Sequence, residues 1–252
     1  MIRPFSEIMK EKISTDRNPV MTLISDKIRV KEYVDKRVPG NNLFKHRIYA
    51  GYDLDEAIEK IKPPCVMRIN NAWHRMVFIR DKNFNKKEIA KKFRPWFGSP
   101  HNSWEWAYRD IIPGITIEDM LPDVHDLCKL FVFGGVVKFI WIQRYDISSG
   151  AIGLIGATLY DREFKHIDAQ WNDAPQPDFR KPARLDELIK ISEALSHETK
   201  KKISEFCRVD LYYNYENDKI LFSEMTHYHA GGTNGFAPPD IDYLLGAQWP
   251  EK

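Results

Sequence analysis

Two carboxylates and a guanidinium within RVDLYYNYENDKILFSEMT, residues 208–226, have the types and the spacing to hold a divalent cation. Val209, Leu211 and Tyr213, then Ile220 and Phe222, alternate with polar residues as two half-buried strands do, and Glu216-Asn217-Asp218 between them carries turn chemistry. With those three residues as the loop, Tyr215 faces Lys219, and counting back along the ladder sets Asp210 opposite Glu224 and Arg208 opposite Thr226. Opposed residues share a face with Cβ atoms roughly 5 Å apart, and like charges so placed repel. A cation between them removes the repulsion. Two carboxylates with a hydroxyl nearby suit Mg²⁺, which retains waters and reaches for substrate phosphates. The competing reading is a solvated hairpin in which Arg208 and Lys219 neutralise the acids, and a one-residue slip would part the pair.

The elements that must carry these residues alternate as in an α+β or α/β enzyme. Leu54–Ile61 reads as a short helix ended by Pro63-Pro64, Cys65–Ile69 as a strand and Phe78–Arg80 as its return. Lys86–Phe93 is helical with a basic outer face, Ser103–Ile111 is a second short helix rich in aromatics, and Ile115–Met120 is a strand leading into a connector. Cys128–Phe133 and Val136–Gln143 form a hairpin, because Gly134-Gly135 supplies positive φ at both turn positions. Asp173–Arg180, with Pro175 and Pro177, is a loop; Pro182 starts a helix with Leu185, Leu188, Ile189 and Leu195 on its inward stripe. Ala230–Asp240 is a Gly/Pro loop suited to lining a site.

Composition bounds the class. At 252 residues, 43% apolar and 29% charged, the chain can bury a sizeable core as one large or two small domains. A net charge of +2 does not point to nucleic acid, and Lys200-Lys201-Lys202 reads as a solvated helix end. Cys65, Cys128 and Cys207 are odd in number and unpaired in spacing, which favours reduced thiols in the cytoplasm over a disulfide framework. MIRPFSEIMKEK lacks a signal-peptide core, and the apolar run Leu130–Ile142, broken by two glycines and Lys138, is too short to span a membrane.

The order of SDKIRVKEYV, PPCVMRINNAWHRMVFIRDK, WAYRDIIPGITIEDML, KLFVFGGVVKFI, KPARLDELIKISEALS and the acid hairpin resembles the TupA-like branch of the ATP-grasp superfamily, associated with teichuronopeptide and capsular polysaccharide synthesis. The resemblance implies an α+β ATP-grasp fold with a nucleotide held between two lobes, and ATP and Mg²⁺ as cofactors. On that pattern residues 1–252 form one ATP-grasp-like unit: an N-terminal region over 1–62, a small central lobe over 63–121 and a C-terminal lobe with the metal site over 122–252. Only 25 residues precede Asp26, so a short or absent N-terminal lobe is expected.

Carried over residue by residue, Lys27 resembles the ammonium that meets the triphosphate, and Arg68 stands where the family has a second phosphate-binding lysine. Glu118 resembles the hinge acid near adenine and ribose, with backbone around Asp119 and Leu121 reading the adenine edge. Lys129 matches the lysine of the central hairpin, and Asp210 and Glu224 match the metal acids. Arg208 matches the guanidinium that stabilises the transferring phosphoryl group. Thr226, His227, His229 and Asn234 fall beside the acceptor pocket.

Several positions depart from the pattern. The loop Asn70-Asn71-Ala72-Trp73-His74 has no glycine where the family folds a small Gly/Ser loop over phosphates. Leu127 replaces an acid, with Asp126 next door as a substitute after a small shift, and Thr226 stands for the asparagine ligand of the wider superfamily, as is usual in this branch. Two constellations compete: His227 and His229, at i and i+2 and with His74 or Asp240, for a transition metal; and Trp96, Phe97, Trp104, Trp106 and Tyr108, for stacking sugars or filling a core.

The expected function is an ATP- and Mg²⁺-dependent carboxylate–amine ligase acting through an acyl phosphate. By resemblance it joins an amino acid or amine to a uronic acid or related group of a bacterial surface polysaccharide, alongside capsule-synthesis enzymes. The alternatives are a glycan or small-molecule kinase on the same fold, and a degenerate nucleotide-binding module without turnover.

Overall fold

The structure, a computed structural model, describes residues 2–73, 75–97, 105–198, 201–202, 205–233 and 235–250. It divides into two compact units, Met1–Asp16 with Arg37–Asn41 and Asp123–Lys252, and Arg17–Lys36 with Asn42–Pro122. Among the described residues no helix is long and apolar enough to cross a membrane.

The larger unit is built on a six-stranded antiparallel sheet in the order Lys219–Thr226, Phe206–Asn214, Val124–Phe133, Val136–Asp146, Gly153–Asp161, His166–Ile167. Period-2 alternation gives its strands two different faces. On one, Phe131, Phe133, Phe139, Trp141 and Phe206 join Phe5 and Met9 of the helix Phe5–Thr15 in a buried aromatic core. On the other, Cys128, Leu130, Val209 and Leu211 are buried, and the helix Leu185–Leu195 lies against these central strands, its preceding Arg184 amide donating to the hydroxyl of Tyr213. Gly134 and Gly135 take φ of +58° and +88°, as the expected two-residue hairpin requires.

The acid hairpin meets the expected pairing by a different route. Its loop is four residues, Tyr215–Asp218, and Lys219 pairs with Asn214 rather than facing Tyr215. That register alone would set Asp210 opposite Ser223. A bulge between Asp210 and Leu211 inserts Ser223 as an extra residue, and beyond it Asp210 pairs with Glu224 and Arg208 with Thr226.

The smaller unit holds a four-stranded sheet in the order Arg47–Gly51, Ile115–Asp119, Cys65–Ile69, Met76–Ile79. Cys65, Met67, Ile69, Ile115 and Ile117 form the buried face with Leu54, Ala57 and Ile58 of the helix Leu54–Glu59 and Ile89 and Phe93 of the helix Lys86–Phe97. This second helix runs past the expected Phe93 and through Pro95, with Trp96 and Phe97 packed on the same core. Of the expected Ser103–Ile111 helix, only a 3₁₀ turn at Trp106–Tyr108 is present among the described residues; Trp104 lies outside them. Lys201–Lys202 is extended backbone pairing with His197–Glu198, not a helix end, and Lys200 lies outside the described residues.

The opposite face of the small sheet is charged. Arg47 stands directly across one ladder from Glu118, and Arg68 faces Thr116, one pleat away from Glu118 across the other. The Glu118 carboxylate accepts from Arg47 at 3.3 Å, lies 3.2 Å from the Lys45 ammonium and is in close contact with Arg68. Burial acts to raise the Glu118 pKa, but Arg68, Lys45 and Arg47 outweigh it and hold the carboxyl well below the ordinary range. Lys45 is pushed down to about 8 by burial and by Arg68.

Glu118→Gln strips three cations of their shared counter-charge and is expected to cost about 3–5 kcal/mol of stability at neutral pH, measured by urea denaturation. Because the folded-state pKa is depressed, this stabilisation is complete above the unfolded value of about 4.3 and is lost as pH falls through the folded one. Acidification below about pH 4 should therefore cost the native protein more than the variant.

Candidate active site

Arg208 and Asp210 are two residues apart on one strand and so share a face, and both are buried. The guanidinium closes on the carboxylate with both edges, Nε to Oδ1 at 2.6 Å and Nη2 to Oδ2 at 2.7 Å, a charge-assisted bidentate pair. Nη2 also donates to Thr226 Oγ1 at 3.2 Å and reaches Glu224 Oε1 at 3.5 Å, and Thr226 donates to the same Glu224 oxygen at 3.4 Å. Nη1 donates to Nδ1 of His229 at 2.9 Å. The cation that separates the two acids here is thus Arg208 itself, in a buried site rather than on a solvated hairpin. Burial acts to lower the Arg208 pKa, and Asp210 overcomes it to leave it raised.

Lys129 faces Asp210 across the neighbouring ladder, its ammonium 3.7 Å from Oδ2. It lies 5.3 Å from the ring centre of Trp141 and 5.9 Å from that of Tyr145, within cation–π range. Burial and the Arg208 charge bring its pKa down to about 8, against the pull of Asp210 and Glu224. Burial and Asp210 push the Tyr145 phenol up. His229, buried beside Arg208 and Lys129, has its pKa held well below the ordinary value by burial first and then by those two charges.

These groups offer a hard cation two opposed carboxylates, while the His229 imidazole is engaged by Arg208. Asp210 is fully buried, while the Glu224 side chain is 35% exposed. Among the described residues no cluster of three or more His, Cys, Asp or Glu is arranged to hold a metal. A pair of carboxylates fits Mg²⁺, which takes hard oxygen ligands, better than a transition metal. His227 and His229 do not share a strand face, because the strand ends at Thr226 and His229 opens a 3₁₀ turn; His74 lies outside the described residues. Burial and Lys12 lower the His227 pKa to about 3.

Other expected residues take specific places. Lys27 is not a solvated partner of Asp26: its ammonium donates to the Ala72 carbonyl at 2.8 Å and ties down the glycine-free loop. Asn70 in that loop donates to Asp26 and the Ile112 carbonyl, and accepts from the Gly114 amide. Arg68 and Glu118 meet, in company with Lys45 and Arg47, which the sequence does not single out because FKHRIYAG carries no clear strand pattern. The Asp119 amide donates to the His46 carbonyl and its carboxylate lies 3.3 Å from the His46 ring, while Leu121 follows the strand outside regular secondary structure. Asp126 cannot replace the acid missing at Leu127 by a small shift. Strand alternation puts it on the face away from Lys129, where Arg144 binds it bidentately at 2.7 Å on both oxygens. Trp96, Phe97 and Trp106 fill core, and Asn234 lies outside the described residues. Cys65, Cys128 and Cys207 are free and buried, and burial pushes the Cys207 thiol up to about 12.

A family model described as TupA-like ATPgrasp matches residues 7–249. No curated protein matches the chain in sequence. Among solved structures the fold is similar to that of an L-amino acid ligase from Bacillus licheniformis, with 15% identity over 88% of this chain and 47% of that one and a TM-score of 0.51. It is also similar to D-alanine–D-alanine ligases from Helicobacter pylori, with 13% identity over 90% and 62% of the two chains and a TM-score of 0.51, and from Bacillus anthracis, with 16% identity over 89% and 63% and a TM-score of 0.50. The chain therefore spans less than two thirds of the length of each of these structures. The architecture is the ATP-grasp fold, and with the family match running through nearly the whole sequence, the chain belongs to the TupA-like ATP-grasp family.

Proposed function

We propose that the protein is an ATP- and Mg²⁺-dependent carboxylate–amine ligase that works through an acyl phosphate. The supporting observation is the meeting of Asp210, Glu224, Arg208 and Lys129 on one sheet face in a member of this family. In this reading Asp210 and Glu224 would hold Mg²⁺, which when bound supplies charge neutralisation to the triphosphate. A substrate carboxylate oxygen attacks the γ-phosphorus, the bond to the bridging oxygen breaks and ADP leaves. An amine then attacks the acyl carbon, phosphate departs and the nitrogen loses a proton. Arg208 acts as the positioned donor to the transferring phosphoryl oxygens, and Lys129 as a second cation against them.

Lys27 and Arg68 would serve the phosphates, Arg68 directly and Lys27 by fixing the loop, while Glu118 would serve adenine and ribose and the backbone near Asp119 and Leu121 would read the base. Thr226, His227, His229 and Asn234 are the acceptor-side residues of the resemblance, with Thr226 and His229 both hydrogen-bonded to Arg208. The acceptor we propose is an amino acid or uronic acid group of a bacterial surface polysaccharide, in a cytosol that keeps three free thiols reduced and beside capsule-synthesis enzymes. A non-catalytic nucleotide-binding reading is favoured by one observation, the glycine-free loop locked by Asn70.

Asp210→Asn is expected to abolish ADP release in the presence of MgATP, an amino acid and a uronate, while thermal unfolding stays cooperative. Product analysis separates the readings: ADP, phosphate and an amide mean ligase, a phosphorylated acceptor means kinase, and saturable MgATP binding without turnover means a binding module. Lys129→Met should lower turnover yet raise stability at pH 7 by about 2 kcal/mol, since the lowered lysine pKa shows that the fold disfavours the charged form. The folded lysine deprotonates first, so the native protein gains stability as pH rises from about 8 toward about 10, and the advantage of the variant should shrink over that interval.

A further inference from the structure

Arg208 has five N–H donors in a fixed plane. Asp210 takes the Nε proton and one from Nη2, Thr226 takes the other Nη2 proton, and His229 takes one of the two on Nη1. The imidazole that accepts this bond is fully enclosed. Phe131, Trp141, Trp171 and Phe236 surround it with ring centres 5.0–6.2 Å away, and its Nε2 is buried with no hydrogen-bond partner among the described residues. An arginine can only donate, so Nδ1 must carry the lone pair, and the neutral ring keeps its proton on Nε2 among the aromatic faces. The backbone is bent to deliver it: Ala230, Gly231 and Gly232 take successive φ of +49°, +60° and +77°, and at Gly232 a Cβ would press against the backbone of Lys10.

We infer that His229 is a positioning residue: as a neutral acceptor it claims one Nη1 proton and, together with Asp210, holds the guanidinium plane that directs the remaining Nη1–H, the one Arg208 donor without a partner among the described residues, toward a transferring phosphoryl or acyl-phosphate oxygen. This deepens the ligase reading of the same site and assigns His229 to Arg208 in place of the acceptor. A cationic or purely proton-donating group at this position could not do it, because it would repel the guanidinium or leave that Nη1 proton without an acceptor.

The test uses the full chain and has two independent arms. In the first, nitrogen-15 NMR of the imidazole and arginine side chains, without nucleotide, should show His229 unprotonated at Nδ1 and protonated at Nε2, with distinct, slowly exchanging Nη1 protons on Arg208 that merge in His229→Leu. A proton on Nδ1, or unchanged Arg208 signals in the variant, would overturn the inference. In the second, His229→Leu should lower kcat by about 10- to 100-fold with little change in MgATP affinity, and His229→Asn, whose amide oxygen can accept, should recover part of the loss. Full kcat in His229→Leu, or equal loss in both variants, also rejects it. If the native protein turns over no ATP, the ligase reading falls while the NMR arm still decides the role of His229. Should His229→Leu fail to fold by thermal melt, His229→Asn and the native spectra carry the decision.

Discussion

A guanidinium buried against a carboxylate two residues along the same strand governs the site. Removing both charges from water costs several kcal/mol per ion, and only close geometry with further hydrogen bonds offsets it. Arg208 has that geometry: two short bonds to Asp210, a hydroxyl from Thr226 and an imidazole from His229. The arrangement is possible because i and i+2 on a strand share a face, and because the adjoining strands place Lys129 and Glu224 opposite the same carboxylate. The aromatic core on that face, from Phe131 through Phe206 to Phe5, keeps water away from one side of the cluster and raises the electrostatic stakes of each member.

Much of this was legible in the sequence, for reasons that differ by residue. Alternation in 208–226 identifies both strands, and the glycine pair at 134–135 fixes a hairpin because it meets a backbone demand few residues can. The pairing of Asp210 with Glu224, however, depends on two features no pattern displays, a four-residue loop and a bulge at Ser223, which shift the register in opposite directions. The helix Phe5–Thr15 and the strands Arg47–Gly51 and Gly153–Asp161 go unread because their burial is set by partners far away in the chain. The same is true of Glu118. IEDML singles it out only by resemblance, but its three cations come from Lys45, Arg47 and Arg68, and only the strand order Arg47–Gly51, Ile115–Asp119, Cys65–Ile69 brings them together.

Asp126 shows how unforgiving that geometry is. One residue from the position where the family carries an acid, it is a full face away, and its carboxylate serves Arg144 instead. Sequence proximity along a strand is therefore no measure of chemical equivalence; parity is. On the Lys129 face the neighbouring positions are Leu127 and, across the ladder, Gln143, neither of which carries a carboxylate.

The charge state of the two clusters follows one rule. Glu118 is outnumbered by cations, and Lys45 loses basicity; Asp210 and Glu224 are matched by Arg208 and Lys129, and Lys129 again loses it. In both places the lysine yields because arginine holds its proton at any ordinary pH and because the ammonium bears the larger desolvation cost. His229 fits the same logic from the other side. A carboxylate in its place would saturate Arg208 and compete with Asp210 for the guanidinium, whereas a neutral ring accepts one proton, adds no charge and leaves the cation's field directed at whatever negative group approaches.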